Sequence, residues 1–213
     1  MSGKQLPVIY LARHGETEWT VSGRHTGRTD LPLTAHGELE AQRLGEQLRG
    51  LRFSSVLTSP LRRAVQTCSA AGFGAAAEVE PDLVEWDYGE YEGRTSADIH
   101  AERPGWQLFR DGCPGGESAD AVAARADRVI RRVRSLGENA LLFSSGHFLR
   151  VFAARWLGLE PAAGRFFLLG TASISAVGYE HDLSEPAIRL WDENPQALRR
   201  LPNPAWQRMQ EAF

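Results

Sequence analysis

Two short apolar runs that end at glycine and basic residues constrain the fold of this chain most. Val8–Ala12 follows Pro7 and is rich in β-forming residues, and Ala140–Ser145 is a second run of this kind, so both predict buried strands. Arg13-His14-Gly15 directly follows the first run, and Gly146-His147 follows the second. Because ligands bind at the carboxyl ends of strands in open α/β sheets, we expect these basic side chains to meet at one sheet edge.

Helix and strand patterns alternate along the rest of the chain. Thr34 is typical of the N-cap of a helix that runs to about Leu51, and Ser59-Pro60 predicts another helix start, with serine as cap. Apolar residues at three- and four-residue steps predict a long helix over 122–136, closed by Gly137. Further strands are predicted at 53–58, 77–79, 174–179 and 187–191, and further helices at 95–104 and 148–157. The alternation predicts an α/β fold: a three-layer sandwich with a mainly parallel central sheet, one antiparallel edge and helices on both faces.

A chain of 213 residues with 42% hydrophobic content fits one domain over 1–213. The segment 194–213 contains three prolines and is interpreted as a C-terminal tail. The segment Glu85–Arg94 is dense in Trp, Asp, Tyr, Glu and Gly without periodicity, which is typical of a functional loop.

The net charge of −3 and the pI of about 6.1 argue against a nucleic-acid partner or an anionic membrane surface. No apolar stretch reaches the length of a membrane span or of a secretory signal. Cys68 and Cys113 lack metal-ligand spacing and no histidines are paired at ligand spacing, so we expect reduced thiols, a cytoplasmic location and no metal. No cofactor is expected, and a homodimer is left open.

Residues suited to phosphate chemistry recur at the predicted strand ends. Arginine grips phosphate oxygens bidentately, and histidine can attack phosphorus, which makes Arg13 and His14 a candidate pair. Arg63 lies near the start of the helix predicted after the 53–58 strand. Glu85 opens the aromatic loop, and His147 closely follows the Ala140–Ser145 run. Together these residues are sufficient for phosphoryl transfer through a phosphohistidine, with a glutamic acid as proton donor. The expected partner is therefore a small phosphorylated metabolite.

The chain resembles the histidine phosphatase superfamily, also called the phosphoglycerate-mutase-like superfamily, from Leu11 to about Tyr179. The resemblance is carried by Leu11–Trp19, Gly23–Gly27, Leu33-Thr34 with Gly37, Thr58–Ala64 with Gln66-Thr67, Glu85–Gly93 and Gly146-His147. It implies that 1–213 is a single histidine phosphatase domain.

The resemblance also implies roles for individual residues. His14 is the phosphorylated nucleophile, Arg13, Arg63 and His147 form the phosphate pocket, and Glu85 is the proton donor and later the base toward water. The expected substrate-binding residues are Thr20, Arg24, Thr26, Gly27, Trp86 and Tyr88. We expect Arg24, His25 and Trp86 at the pocket mouth. The Arg62 side chain is expected to point away from the core site. Thr20 stands where the mutases carry asparagine, which leaves its contact with phosphate open.

Three functions follow from the resemblance. Hydrolysis of a small sugar phosphate or bisphosphate is preferred, because the segment between Glu85 and His147 contains no lysine and does not match the longer insertion, with its lysine and paired arginine, that the resemblance implies for a mutase. The Glu85–Gly93 segment is similar to sedoheptulose-bisphosphatase-like enzymes and broad acid phosphatases. The alternatives are a cofactor-dependent phosphoglycerate mutase and a non-catalytic protein that binds phosphorylated ligands.

Overall fold

The computed structural model of the chain describes residues 6–194. Its sheet has six strands in the order β3-β2-β4-β1-β5-β6. The strands are β1 (Ile9–Arg13), β2 (Ser55–Thr58), β3 (Ala77–Val79), β4 (Ala140–Ser144), β5 (Ile174–Tyr179) and β6 (Pro186–Glu193). Strands β1 to β4 run parallel, whereas β5 pairs antiparallel with β1 and β6 antiparallel with β5. The predicted α/β architecture, including its antiparallel edge, is confirmed.

Helices cover both faces of the sheet. They are α1 (Glu18–Val21), α2 (Ala35–Gln47), α3 (Arg62–Ala70), α4 (Ser96–Glu102), α5 (Leu108–Asp111), α6 (Ala119–Leu136) and α7 (Gly146–Trp156). Four short 3₁₀ turns accompany them, at Gly74–Ala76, Pro81–Leu83, Gly89–Tyr91 and Pro161–Phe166. None of the helices within residues 6–194 is long and apolar enough to cross a membrane.

Side chains alternate along β1 and β4 between two separate apolar cores. Leu11 and Leu142 pack in the core beneath α6 and α7. Ala12 and Phe143 pack in the opposite core, beneath α2 and α3. Because each strand reaches both cores, residues at the strand ends can be assigned to one face by their position along the strand.

Several predicted helix ends are confirmed by their caps. Thr34 accepts a hydrogen bond from the Gly37 amide, and Thr95 forms the predicted capping box with Asp98. Gly137 ends α6 in the left-handed conformation, with φ of 63°.

The predicted start of α3 at Ser59-Pro60 is wrong. Leu61 is still extended, with ψ of 134°, and the helix begins at Arg62. The reason is a tertiary cap: the Arg62 amide donates to Asp30 Oδ1 at 2.6 Å, while the Ser59 hydroxyl accepts from the Leu61 amide. A capping residue 32 positions away in sequence leaves no local pattern.

Two other predicted boundaries are shifted. Helix α2 ends at Gln47 rather than near Leu51, and Gly50 then adopts φ of 86°. Helix α7 begins at Gly146, two residues before the predicted start at Phe148. From residue 195 onward, the predicted C-terminal tail lies outside the described residues.

Candidate active site

His14 lies directly after β1 and is buried, with 3% of its surface exposed. Its amide donates to the Ser144 carbonyl at 3.0 Å, which extends the pairing of β1 with β4 by one residue. The imidazole Nδ1 lies 2.8 Å from the Gly15 carbonyl oxygen. Because a carbonyl can only accept, Nδ1 carries the proton and Nε2 keeps the lone pair. The backbone therefore fixes the tautomer that a nucleophilic histidine requires.

The turn after His14 is held against α2 and α3. The Gly15 amide donates to the Thr67 hydroxyl at 3.0 Å, and that hydroxyl donates to the Arg63 carbonyl at 2.7 Å. A Cβ on Gly37 would lie 2.2 Å from the Glu16 carbonyl oxygen, so only glycine allows α2 this close to the turn. These contacts make the segment 14–16 rigid and place it beside the first turn of α3.

Arg63 is fully buried in that first turn. Its Nη1 donates to the Thr29 carbonyl, and its Nη2 donates to the carbonyls of Thr26 and Gly27, at 2.9 to 3.0 Å. No ion pair of Arg63 occurs within residues 6–194, and its buried Nε has no hydrogen-bond acceptor there. A buried cation with a spare donor and only neutral partners favours an anionic ligand.

A cavity of about 200 Å³ opens at the carboxyl edge of the sheet. Eight of the predicted site residues line it, namely Arg13, His14, Thr20, Arg24, Thr26, Glu85, Tyr88 and His147. Arg13 forms one wall, and its Nη1 donates to the carbonyl of Leu169, which also lines the cavity. The structure therefore brings together most of the residues that the sequence indicated.

Glu85 is buried at this cavity, and its carboxylate is held by three backbone amides. Oε1 accepts from the amides of Trp86 and Phe148, both at 2.8 Å, and Oε2 accepts from the His147 amide at 3.0 Å. The last two amides belong to the first turn of α7, whose N-terminus favours negative charge. The helix that carries His147 thus also positions Glu85.

His147 lies one residue inside α7 and is paired with Tyr88. The Tyr88 hydroxyl and His147 Nδ1 are 2.6 Å apart, which leaves Nε2 as the nitrogen available to a ligand. The rings of Phe109 and His25 pack against this imidazole at centroid distances of 5.5 and 6.1 Å. Tyr88, predicted as a substrate contact, therefore also orients the second histidine.

Both imidazoles are uncharged near neutral pH. Burial, followed by the positive charges of Arg63 and Arg13, holds the pKa of His14 well below its usual 6.5. Burial, followed by the charges of Arg150, His25 and Arg13, likewise lowers the pKa of His147. His147 thus presents a neutral imidazole rather than a positive charge to the cavity.

Three predicted site residues do not line the cavity, namely Arg63, Trp86 and Gly27. The Trp86 side chain is fully buried away from the cavity, where its Nε1 donates to the Glu117 carbonyl and its ring packs on Phe109. Gly27 does not line the cavity, because its amide donates to the Glu92 carboxylate and its carbonyl accepts from Arg63. The loop 23–27 is thus held in place by the hydrogen bonds that Gly27 forms with Glu92 and Arg63.

Thr20 and Thr26 reach the cavity with hydroxyls that already donate within the loop. The Thr20 hydroxyl accepts from the Thr17 amide in a capping box and donates to the Thr17 carbonyl at 2.8 Å, and the Thr26 hydroxyl donates to the Arg24 carbonyl at 3.2 Å. A phosphate contact through either proton would require breaking that bond. The Arg24 side chain is exposed at the cavity rim.

Arg150, which the sequence did not indicate, also lines the cavity. Its Nε donates to the Gly164 carbonyl and its Nη2 to the Arg165 carbonyl, both at 3.0 Å, and its guanidinium lies over the Phe109 ring. Arg150 follows His147 by three residues, which places both on one face of α7. The predicted helix start at Phe148 concealed this spacing.

Among residues 6–194, one group of side chains has the spacing of a metal site. Glu180, His181 and Glu185 lie in the exposed turn between β5 and β6. None of the three lines the cavity.

Residues 9–194 match the model of the histidine phosphatase superfamily, branch 1. The chain is 39% identical over 194 residues to an acid phosphatase of Mycobacterium tuberculosis, covering 89% of this chain and 95% of that protein. It is 38% identical over 186 residues to sedoheptulose 1,7-bisphosphatase of Saccharomyces cerevisiae, covering 72% and 68%. It is 36% identical over 182 residues to a Klebsiella pneumoniae protein named "Probable phosphoglycerate mutase GpmB", covering 81% and 85%.

The fold also resembles that of a solved structure. A Mycobacterium tuberculosis open reading frame superposes with a TM-score of 0.83 at 37% identity, covering 88% of this chain and 98% of that one. The family match, these relatives and the cavity at the sheet edge agree, and the chain belongs to the histidine phosphatase superfamily.

Proposed function

We propose that this chain hydrolyses phosphate monoesters through phosphorylated His14, and that its substrate is a small sugar phosphate or bisphosphate. The observation that carries the proposal is a buried imidazole of fixed tautomer beside a buried arginine whose charge no carboxylate within residues 6–194 pairs with. Two relatives named as phosphatases support hydrolysis.

The reaction has two balanced steps. His14 Nε2 attacks phosphorus, the bond from phosphorus to the ester oxygen breaks, and Glu85 donates a proton to the departing alkoxide. Water then attacks the phosphohistidine, Glu85 takes a proton from that water, and inorganic phosphate leaves with His14 restored. Arg13 and Arg63 bind the phosphoryl oxygens in both steps and stabilise the charge of the transition state.

Arg24 and Arg150 support a substrate with a second anionic group. Both line the cavity, and neither forms an ion pair with a carboxylate within residues 6–194. Burial lowers the pKa of Arg150 to about 10, so the surrounding protein compensates its charge poorly. A second phosphate would supply that compensation. Two other arginines in the segment between Glu85 and His147 do not contribute to this charge. Arg103 and Arg110 lie outside the cavity lining, and Arg110 pairs with Asp111.

The test is phosphate release from a panel of sugar monophosphates and bisphosphates, with a chelator present. We expect hydrolysis of both classes, with a lower KM for bisphosphates. Arg150→Gln should raise KM for a bisphosphate more than KM for its monophosphate. Conversion of 3-phosphoglycerate to 2-phosphoglycerate with catalytic 2,3-bisphosphoglycerate and no phosphate release would instead make the chain a mutase. Binding without turnover would make it a non-catalytic protein.

The lowered pKa of His14 predicts activity that persists to acidic pH. His14 is nucleophilic only when neutral, and its pKa lies well below 6.5, so it remains active as the pH falls through 6.5. The first step also needs a proton on the leaving oxygen, so a general acid sets the alkaline limb of the profile. We therefore expect a bell-shaped profile of kcat/KM whose acid limb lies well below 6.5. Steady-state rates from about pH 4 to 8 test this, and a flat profile from about pH 5 to 8 would contradict it.

A further inference from the structure

Ser145 occupies the position beside His14 at the sheet edge. Strands β1 and β4 are parallel neighbours, and Arg13 pairs with Ser144. The next residue on each strand is therefore His14 on β1 and Ser145 on β4, and the His14 amide bonded to the Ser144 carbonyl maintains the pairing to that point. His147 lies two residues farther along the chain, inside α7.

Ser145 also belongs to the same face of the sheet as His14. Ala12 and Phe143 pack in the core beneath α2 and α3, and alternation assigns His14 and Ser145 to that face. The preceding hydroxyl points the other way, since Ser144 Oγ donates to the Leu83 carbonyl at 2.6 Å. Helix α3, which covers the face of Ser145, supplies Arg63.

The Ser145 hydroxyl is fully buried and has no hydrogen-bond partner within residues 6–194. It stands at the N-cap of α7, where a serine usually bonds a free amide of the first turn, yet it makes no such bond. Glu85 already accepts from the amides of His147 and Phe148. Arg63, on helix α3 at the same face of the sheet, has a buried Nε that also lacks an acceptor within residues 6–194. Buried donors left unsatisfied in this way call for a ligand or another explanation.

We propose that Ser145 Oγ donates a hydrogen bond to an oxygen of the phosphoryl group that is bound at His14. This inference rests on the proposed function and adds to it a neutral hydroxyl donor. The ligand is a tetrahedral phosphate ester, or the five-coordinate phosphorus of the transition state. Arg63 supplies the positive charge on that side of the phosphoryl group, and Ser145 supplies an oriented hydrogen bond from a neutral hydroxyl.

The experiment compares Ser145→Ala and Ser145→Cys with the matched control Ser144→Ala. Oxyanion donors typically contribute on the order of 10²–10³ in rate, so each Ser145 variant should lose at least about tenfold in kcat/KM on p-nitrophenyl phosphate. The inhibition constant of orthovanadate should rise by a similar factor. The melting temperature of Ser145→Ala should not fall, because alanine removes an unsatisfied buried hydroxyl.

Ser144→Ala should show the opposite pattern. It leaves the Leu83 carbonyl without its donor, so the melting temperature should fall while kcat/KM and orthovanadate inhibition stay unchanged. Unchanged vanadate affinity in Ser145→Ala would overturn the inference. If the wild-type chain hydrolyses no ester, the thermal shift produced by orthovanadate still tests Ser145, and the proposed function alone fails.

Discussion

Replacing His14 with alanine is expected to lower phosphate release from p-nitrophenyl phosphate by at least about 10³-fold, because the reaction loses its nucleophile. The phosphoenzyme should disappear as well. With a ³²P-labelled substrate and alkaline quenching, the wild-type chain should carry an alkali-stable, acid-labile label that His14→Ala lacks. Since the imidazole bonds only to the adjacent Gly15 carbonyl within the described residues, its removal should leave the fold intact.

Two further variants separate chemistry from structure. Asparagine at position 14 can still donate to the Gly15 carbonyl but cannot be phosphorylated in the same way, so His14→Asn should be as inactive as His14→Ala. His181→Ala removes an exposed imidazole in the turn between β5 and β6 and should retain full activity. Persistent hydrolysis by His14→Ala, or a label on it, would assign the nucleophile to another residue.

Replacing Glu85 with glutamine should reveal its role through the leaving group. General acids typically contribute on the order of 10²–10⁴ in rate, so hydrolysis of a sugar phosphate should fall by about that factor. The loss on p-nitrophenyl phosphate should be much smaller in the first step, because p-nitrophenolate leaves without a proton. Single-turnover formation of the phosphoenzyme measures that step for both substrates.

The same comparison detects a purely structural effect. The side-chain amide nitrogen introduced by Glu85→Gln would face the His147 backbone amide, also a donor, so the N-terminus of α7 loses one hydrogen bond. A displaced α7 would slow both substrates by the same factor, and equal losses would therefore refute the acid role. Glu90→Gln, an exposed change in the same loop, is the matched control and should behave like the wild type.

The sequence predicted those parts of the fold that depend on local patterns. The apolar runs Val8–Ala12 and Ala140–Ser145 contain adjacent parallel strands, and Thr34, Thr95 and Gly137 cap helices as expected. The residues at the strand ends, His14 and Arg13, therefore line the same cavity as Glu85 and His147. Local signals were sufficient here because parallel strands bring their carboxyl ends to one edge.

The failures involve contacts between distant parts of the chain. Asp30 caps α3, which no nearby residue indicates. Trp86 lies in the aromatic loop, where a substrate contact was predicted, but its indole is buried in the core and donates to the Glu117 carbonyl. Arg150 required the correct start of α7, and the unsatisfied hydroxyl of Ser145 is visible only when its neighbours are placed.

Arg63 limits how this site can be redesigned. Its guanidinium holds the carbonyls of Thr26, Gly27 and Thr29, and under the proposed function it also binds the phosphoryl group, so any replacement would loosen the loop and weaken phosphate binding together. Evolution or engineering of new specificity is thereby directed to other residues, namely those that line the cavity. Among them, Arg150 and Leu169 can change the leaving group that is accepted while the phosphoryl-transfer machinery stays intact.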